Sequence, residues 1–194
     1  AASVTQRMRA HGIEAFGCYG LTECSPCVSV NRDSWHKDGS CGVALRCNEV
    51  RVGDDGEVLV RGANVMAGYL GKPELTAARV DLDGWLRTGD VGHIDSDGFL
   101  FVDGRLDDMI VLADGTMVAP EVLERALGAH PAIAQAFVYG TLDGRSGQVV
   151  LACKLVLRDG TDGNAERDAA DFARSLQTPD GTRIEHVEVT REPL

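Results

Sequence analysis

Three short strings in this sequence hold side chains that could act on a phosphorylated ligand. The first, Tyr19-Gly20-Leu21-Thr22-Glu23, follows a run that reads as a strand. It offers an aromatic ring for stacking, a hydroxyl for a phosphate oxygen and a carboxylate for a divalent cation. One carboxylate is enough for Mg²⁺ where phosphate oxygens complete the shell. The second string is Gly56-Glu57-Val58-Leu59-Val60-Arg61-Gly62, followed by Gly68-Tyr69-Leu70. On physical grounds alone it is a glycine-bounded strand and a turn. The third pairs Trp85-Leu86-Arg87-Thr88-Gly89-Asp90 with Gly104-Arg105-Leu106-Asp107-Asp108. An Asp after Gly in a loop can accept hydrogen bonds from vicinal hydroxyls, as acidic residues do for ribose. An Arg downstream can pair with phosphate through its fork of donors. Taken singly, each string equally suits a capped turn, a surface carboxylate or a solvated guanidinium.

The elements that must position these strings follow from hydrophobic period and turn residues. Residues 1–11 have helical character and stop at Gly12. Residues 13–19 are small, apolar and partly aromatic, which predicts a short buried strand. From Gly20 to Asp54 the chain is loop-rich. Alternating runs at 48–52 and 57–61 flank Gly53-Asp54-Asp55-Gly56 and predict a hairpin. A second hairpin is predicted around Asp95-Ser96-Asp97-Gly98, between 93–94 and 99–103. Between them, 73–80 reads as a helix with proline in its first turn.

The pattern changes after Arg105. Residues 108–112 read as a strand, 120–128 as a helix with one apolar face, and 131–139 and 148–157 as strands. A helix over 164–176 and a strand over 184–189 complete a β-α-β-β-α-β order, suited to a small α+β unit with helices on one face of a sheet. The shift of pattern places a domain boundary at residues 105–107.

Composition narrows the function. Thirty acidic against 19 basic residues give the 194-residue chain a formal charge of −11, which argues against a binder that tracks nucleic-acid phosphates or adheres to anionic membranes. The 44% hydrophobic and 25% charged content is that of a soluble globular protein. No apolar run approaches the roughly 20 residues that span a bilayer. The six cysteines (Cys18, Cys24, Cys27, Cys41, Cys47 and Cys153) are too sparse for a disulfide scaffold, so a cytoplasmic protein with reduced thiols is expected. A rival use is zinc, since Cys24-x₂-Cys27 is a common half-site. The spacing of Cys41 and Cys47 is unusual for the other half, and Cys24 adjoins Glu23. The five histidines form no metal-binding spacing. No serine lies in a nucleophile elbow, and Trp35 and Trp85 are expected as packing anchors.

Together and in order, YGLTE, GEVLVRGANVMAGYLGKPELT, WLRTGD and FVDGRLDDMIVLADGTMVAPEVLERAL resemble the core motifs of the adenylate-forming superfamily. This superfamily comprises acyl-CoA synthetases, luciferases and the adenylation domains of peptide synthetases. The resemblance covers nearly the whole chain. It implies an α/β and α+β fold: residues 1–106 as the β-rich end of a large adenylation domain, and 107–194 as a small mobile C-terminal domain. It implies ATP-dependent activation of a carboxylic acid as acyl-adenylate, with release of pyrophosphate and transfer to a thiol. The cofactors implied are ATP/AMP, Mg²⁺ and CoA, with a phosphopantetheine carrier protein as the alternative acceptor. Tyr19 would pack on adenine, with Gly20 in the same nucleotide-binding string. Thr22 would contact the α-phosphate and Glu23 would hold Mg²⁺, the two forming the catalytic pair. Asp90 would bind the ribose hydroxyls, Arg105 the ribose or phosphate side, and Asp107 would be the hinge.

The departures from the family pattern carry their own expectations. The Ser/Thr/Gly-rich phosphate loop is absent, as is most of the large domain that forms the acyl pocket. The catalytic lysine belongs to a motif just beyond the last strand, and the sequence reaches only Arg191-Glu192-Pro193-Leu194. Lys72 and Lys154 are not at the matching position. ADGTMVAP stands where relatives often carry a Gly-Gly or Arg-Gly turn. The segment is therefore expected to be a part of a larger enzyme, inactive alone, with the missing N-terminal part as a partner. The alternative of another class is a catalytically inactive nucleotide- or partner-binding module.

Overall fold

In a computed structural model, which describes residues 2–178 and 181–192, helix α1 (Ala2–Ala10) closes with a turn. Gly12 N–H reaches Arg9 O at 2.9 Å and Ile13 N–H reaches Met8 O at 3.0 Å, the paired bonds of a Schellman end. The strand expected over 13–19 shrinks to β1 (Cys18–Tyr19). Its first residues find no ladder, because Arg9 Nε and Nη2 take the Ala15 carbonyl at 3.2 and 3.1 Å. Pairing starts only at Cys18↔Val30, with β2 (Ser29–Val30), and β2 in turn pairs with β3 (Val43–Ala44). These two short strands lie within the stretch that reads as loop, since two residues cannot display alternation.

The chain packs as two compact units, Ala1–Leu106 and Asp107–Leu194. The first unit is organised by a four-stranded antiparallel meander: β4 (Asn48–Val52), β5 (Glu57–Gly62), β6 (Leu86–Ile94) and β7 (Leu100–Arg105), in that order. Its turns are closed by aspartates: Asp55 Oδ1 accepts Glu57 N–H at 3.2 Å, and Asp95 Oδ1 accepts Phe99 N–H at 2.9 Å. Strand β5 lies between neighbours, so Val58, Leu59 and Val60 are all buried. Val58 and Val60 join Cys24, Val28, Leu86 and Leu100 in the core. Trp85 is packed between the guanidiniums of Arg51 and Arg61, 4.1 and 4.7 Å from its ring centroid. Trp35 departs from its expected anchoring role: it is half-exposed, with only an edge contact to Phe99. Helix α2 (Pro73–Arg79) connects β5 to β6 and starts on proline as expected.

The second unit has its own core. The strand expected over 108–112 is only β8 (Ile110–Val111), because residues Leu106–Asp108 close a 3₁₀ turn; it pairs with β9 (Met117–Val118). Then come α3 (Pro120–Leu127), β10 (Ile133–Leu142), β11 (Val149–Leu157), α4 (Gly163–Ser175) and β12 (Ile184–Thr190). The central strand is β11, antiparallel to β10 and parallel to β12. A parallel neighbour demands a crossover, and α4 supplies it. Both helices feed one core: Leu123 and Leu127 from α3, Ala169 and Ala173 from α4, against Ile133, Val138, Leu151 and Leu155. Lys154 breaks the apolar run of β11 and pairs with Glu188 of β12 at 3.3 Å. Pro193 and Leu194, the residues nearest the expected lysine motif, lie outside the described residues.

Asp162 caps α4, accepting Asn164 N–H at 3.1 Å and Ala165 N–H at 2.8 Å. Asp162→Ala is expected to lower the unfolding free energy of this unit by about 1 kcal/mol, and Asp162→Asn by much less. Urea unfolding monitored by circular dichroism checks this; equal losses from both substitutions would deny the cap.

Candidate functional site

The site begins with an irregularity in the main sheet. Glu57 pairs with Val91 and Leu59 with Arg87, so Thr88-Gly89-Asp90 on β6 stands opposite Val58 alone. Such a bulge frees backbone groups and re-aims side chains. Two backbone donors of the bulge are taken by side chains, and one of those side chains is itself tied to the backbone of β5. Gly89 N–H donates to Glu57 Oε1 at 2.7 Å, Asp90 N–H to Thr88 Oγ1 at 3.1 Å, and the Thr88 hydroxyl to the Val58 carbonyl at 2.7 Å. Gly89 adopts φ +76°, a left-handed conformation that a side chain would strain. Glu57 is 1% exposed, and its Oε2 lies 2.5 Å from Nη2 of Arg87. Asp90 therefore sits within a strand rather than the loop expected from sequence. A Gly followed by Asp signals a turn, but here the irregularity is absorbed inside the ladder.

The bulge delivers Asp90 to two partners. The Tyr19 hydroxyl donates to Asp90 Oδ2 at 2.5 Å, and Arg105 Nη1 donates to Oδ1 at 3.1 Å from the paired position on β7. Burial, and then the Asp90 carboxylate, push the Tyr19 phenol far above the ordinary tyrosine range, so it remains a donor. Its ring is half-buried and fixed at the hydroxyl end.

The rest of the first string is held by backbone. A Cβ on Gly20 would lie 1.7 Å from the Pro26 carbonyl oxygen, so only glycine lets the chain fold back after the 3₁₀ turn Thr22–Cys24. Glu23 is fastened at both ends. Met66 N–H donates to its carbonyl at 2.8 Å, and the Tyr69 hydroxyl donates to Oε1 at 2.7 Å. That hydroxyl, followed by a backbone bond and the charges of Arg79 and Arg105, holds the Glu23 carboxyl below the usual carboxylate range. Thr22 is exposed, and its hydroxyl makes no hydrogen bond to a described residue. Asp107 lies in the 3₁₀ turn Leu106–Asp108, at the division between the two units.

Of the residues singled out by sequence, Tyr19, Asp90 and Arg105 are in direct contact, and Glu23 lies within the field of Arg105. Two supporting residues were not singled out. Tyr69 was visible only as an aromatic after glycine. Glu57 was visible only as the acid that opens an apolar strand after a turn.

The rival zinc half-site does not take shape among the described residues. Cys24 is buried in the core, where desolvation pushes it up to about 11, while Cys18 and Cys47 are exposed. Among the described residues no three His, Cys, Asp or Glu side chains are gathered to hold a metal ion. Nor is any described helix long and apolar enough to cross a membrane.

Comparison with known proteins shows what the chain is similar to. The sequence model described as AMP-binding enzyme matches residues 1–70, and that described as AMP-binding enzyme C-terminal domain matches residues 122–192. A long-chain-fatty-acid–CoA ligase of Mycobacterium bovis, FadD15, is 44% identical over 132 residues, covering 68% of this chain and 22% of the ligase. A 3-[(3aS,4S,7aS)-7a-methyl-1,5-dioxo-octahydro-1H-inden-4-yl]propanoyl:CoA ligase of Mycobacterium tuberculosis is 40% identical over 176 residues, covering 86% of this chain and 34% of the ligase. The chain thus spans about a fifth to a third of the length of these curated relatives. Among solved structures, the O-succinylbenzoate CoA synthetase of Bacillus subtilis in complex with ATP and magnesium superposes with a TM-score of 0.78 at 28% identity, covering 97% of this chain and 40% of that one. The amide bond synthetase McbA of Marinactinospora thermotolerans gives 0.78 at 31% identity, covering 98% and 40%.

Two outcomes follow from the contacts. Glu57→Ala leaves the Gly89 N–H without its acceptor and should cost roughly 1–3 kcal/mol, with fast amide exchange at Gly89; Glu57→Gln keeps an acceptor oxygen and should lose less. Equal stability of wild type and Glu57→Ala in urea would remove Glu57 from this role. Tyr69→Phe should return the Glu23 pKa towards the ordinary 4.5. Because the folded value is depressed, the stabilisation from this bond is present above pH 4.5 and fades as pH falls through the folded value. A titration of Glu23 by NMR reads the shift, and an unchanged curve in Tyr69→Phe would contradict it.

Proposed function

The chain belongs to the AMP-binding, adenylate-forming enzyme family, and from that premise we propose that the protein it comes from joins a carboxylic acid to a thiol using ATP. The substrate carboxylate attacks the α-phosphorus, forming an acyl-adenylate and releasing pyrophosphate. The thiol sulfur then attacks the acyl carbon, and AMP leaves. CoA is the proposed acceptor, by analogy with the named CoA ligases. Those relatives act on acids as different as long-chain fatty acids and a bicyclic propanoate, so the substrate class proposed is carboxylic acids.

What carries this is the meeting of Tyr19 and Asp90, 71 positions apart in sequence, with Arg105 on the other carboxylate oxygen. In the proposed site the Tyr19 ring supports adenine while its hydroxyl braces Asp90. Asp90 accepts the ribose hydroxyls through its remaining lone pairs. Arg105 faces the ribose and phosphate side, and Thr22 offers a free hydroxyl to the α-phosphate. Glu23 fits Mg²⁺ of the nucleotide-bound kind: it is a single ionised carboxylate with no second protein ligand gathered beside it among the described residues, the donor set for an ion that takes its other oxygens from phosphate and water. When bound, that ion would offset charge on the phosphate oxygens during attack. Tyr69 keeps Glu23 ionised and aimed.

The same premise assigns residues 1–106 to the end of the large adenylation domain and 107–194 to the small C-terminal domain, with Asp107 as hinge. A hinge needs few residues, and a short 3₁₀ turn between two separately packed cores offers them.

The test is ATP–pyrophosphate exchange by the full-length protein across a panel of carboxylic acids, followed by thioester formation with CoA or a phosphopantetheinylated carrier. Asp90→Ala and Glu23→Gln should each lower exchange by about 10- to 100-fold, the worth of a hydrogen bond or contact to a charged group. Nucleotide binding without exchange on any acid would point instead to a non-catalytic binding module.

A further inference from the structure

The summit of the β6 bulge is crowded by charge. A Cβ built on Gly89 would lie 3.2 Å from Nη2 of Arg105 and 3.2 Å from Nη1 of Arg79. Two guanidiniums, one from the end of β7 and one from the last residue of α2, thus converge over the same glycine. Arg105 is neutralised by Asp90 at 3.1 Å. Arg79 is not: its one hydrogen bond among the described residues is to the Arg87 carbonyl at 3.4 Å, the weak end of the range. No carboxylate of a described residue lies within salt-bridge distance of it, and the negative charge that feels its field is Glu23. A basic residue at a helix C-terminus has an ordinary use in offsetting the helix dipole. That use is served equally by a side chain pointing into water, and it gives no reason to bring a second guanidinium to the same point over Gly89. Like charges drawn to one point repel each other unless an anion joins them.

We propose that Arg79 is a phosphate-contacting residue, which with Arg105 forms a two-guanidinium clamp over Gly89 for a phosphoryl oxygen of the bound nucleotide. The inference rests on the nucleotide-site function proposed above and adds to it a residue outside its motif strings. Gly89 serves the clamp in a second way besides its φ: a Cβ there would press on both guanidiniums at 3.2 Å and push them aside. Glu23, the proposed metal ligand, lies in the field of both arginines. Guanidinium forks bind phosphate oxygens with two parallel donors, and two forks facing one point can hold one phosphoryl group from both sides.

The experiment is calorimetric titration of the full-length protein with adenosine, AMP, ATP and pyrophosphate, in wild type, Arg79→Gln and Arg79→Lys. Arg79→Gln should weaken ATP binding by roughly five- to tenfold, as expected for one partly exposed charge-assisted contact, and leave adenosine unchanged. Arg79→Lys should recover part of the loss, since it restores charge without the fork. A loss shared by AMP assigns the clamp to the α-phosphate. A loss confined to ATP and pyrophosphate assigns it to the departing phosphates. Equal affinities of wild type and Arg79→Gln for every ligand would overturn the clamp alone, as would adenosine weakened as much as ATP. Failure of the wild type to bind ATP or AMP would overturn the nucleotide site and the clamp with it.

Discussion

The buried carboxylate of Glu57 is the constraint on which the first unit's site depends. A charge at 1% exposure between apolar neighbours on β5 is costly unless it is paired and hydrogen-bonded. Its two oxygens meet that need in different ways. Oε1 takes the Gly89 N–H, and Oε2 faces Arg87, which is half in solvent and also pairs with Asp55 at 2.9 Å. The first contact shapes the bulge and the second supplies the countercharge. The bulge fixes the stretch of β6 on which Asp90 meets Tyr19 and, across the other ladder, Arg105. One buried acid thereby supports the placing of another acid 33 positions later.

The site is built from irregular pieces on a regular support. Asp90 and Arg105 come from paired strands, where the ladder limits their freedom. Tyr19 and Glu23 come from a two-residue strand and a single 3₁₀ turn, which have little rigidity of their own. Contacts from outside make up the difference. The Tyr19 hydroxyl ties the first string to the sheet, Tyr69 ties Glu23 to the segment before α2, and the close approach of Gly20 to Pro26 fixes the path between them. Side chains held by such second contacts keep their geometry when ligand is absent, which lowers the ordering cost on binding.

Much of this was legible in the sequence, and the limits have physical causes. The two hairpins, α2 and all of the β10–β12 unit could be read because their strands are long enough to show period or are closed by Asp-Gly turns. The strand at 13–19 misled because apolar character reports burial, and here an arginine side chain takes the carbonyl a partner strand would have used. Asp90 was legible as a chemical residue but not as part of a strand: a bulge is a property of the pairing, and pairing is not written in either strand alone. Arg79 carried no sequence signal at all. Its place over Gly89 depends on where α2 ends relative to β6, a tertiary fact. Glu57 was legible as the acid at the head of an apolar run, but its partner Gly89 lies 32 positions away.

The net charge of −11 takes on a different sense beside this site. A polyanionic nucleotide approaching an acidic protein meets repulsion in bulk, but exposed charges beyond about 8 Å are largely screened at physiological ionic strength. What decides binding is the charge within that radius. Here Asp90 is offset by Arg105, Glu23 is one negative charge, and Arg79 is one positive charge close to it. The local sum of these four is near zero before any cation is bound, so the protein surface alone would neither strongly attract nor repel phosphate. A divalent ion at Glu23 would tip that balance towards the anion. The acidic composition is then no obstacle to a nucleotide site, provided that the nucleotide arrives with its metal and that the arginines stay where the bulge and α2 hold them.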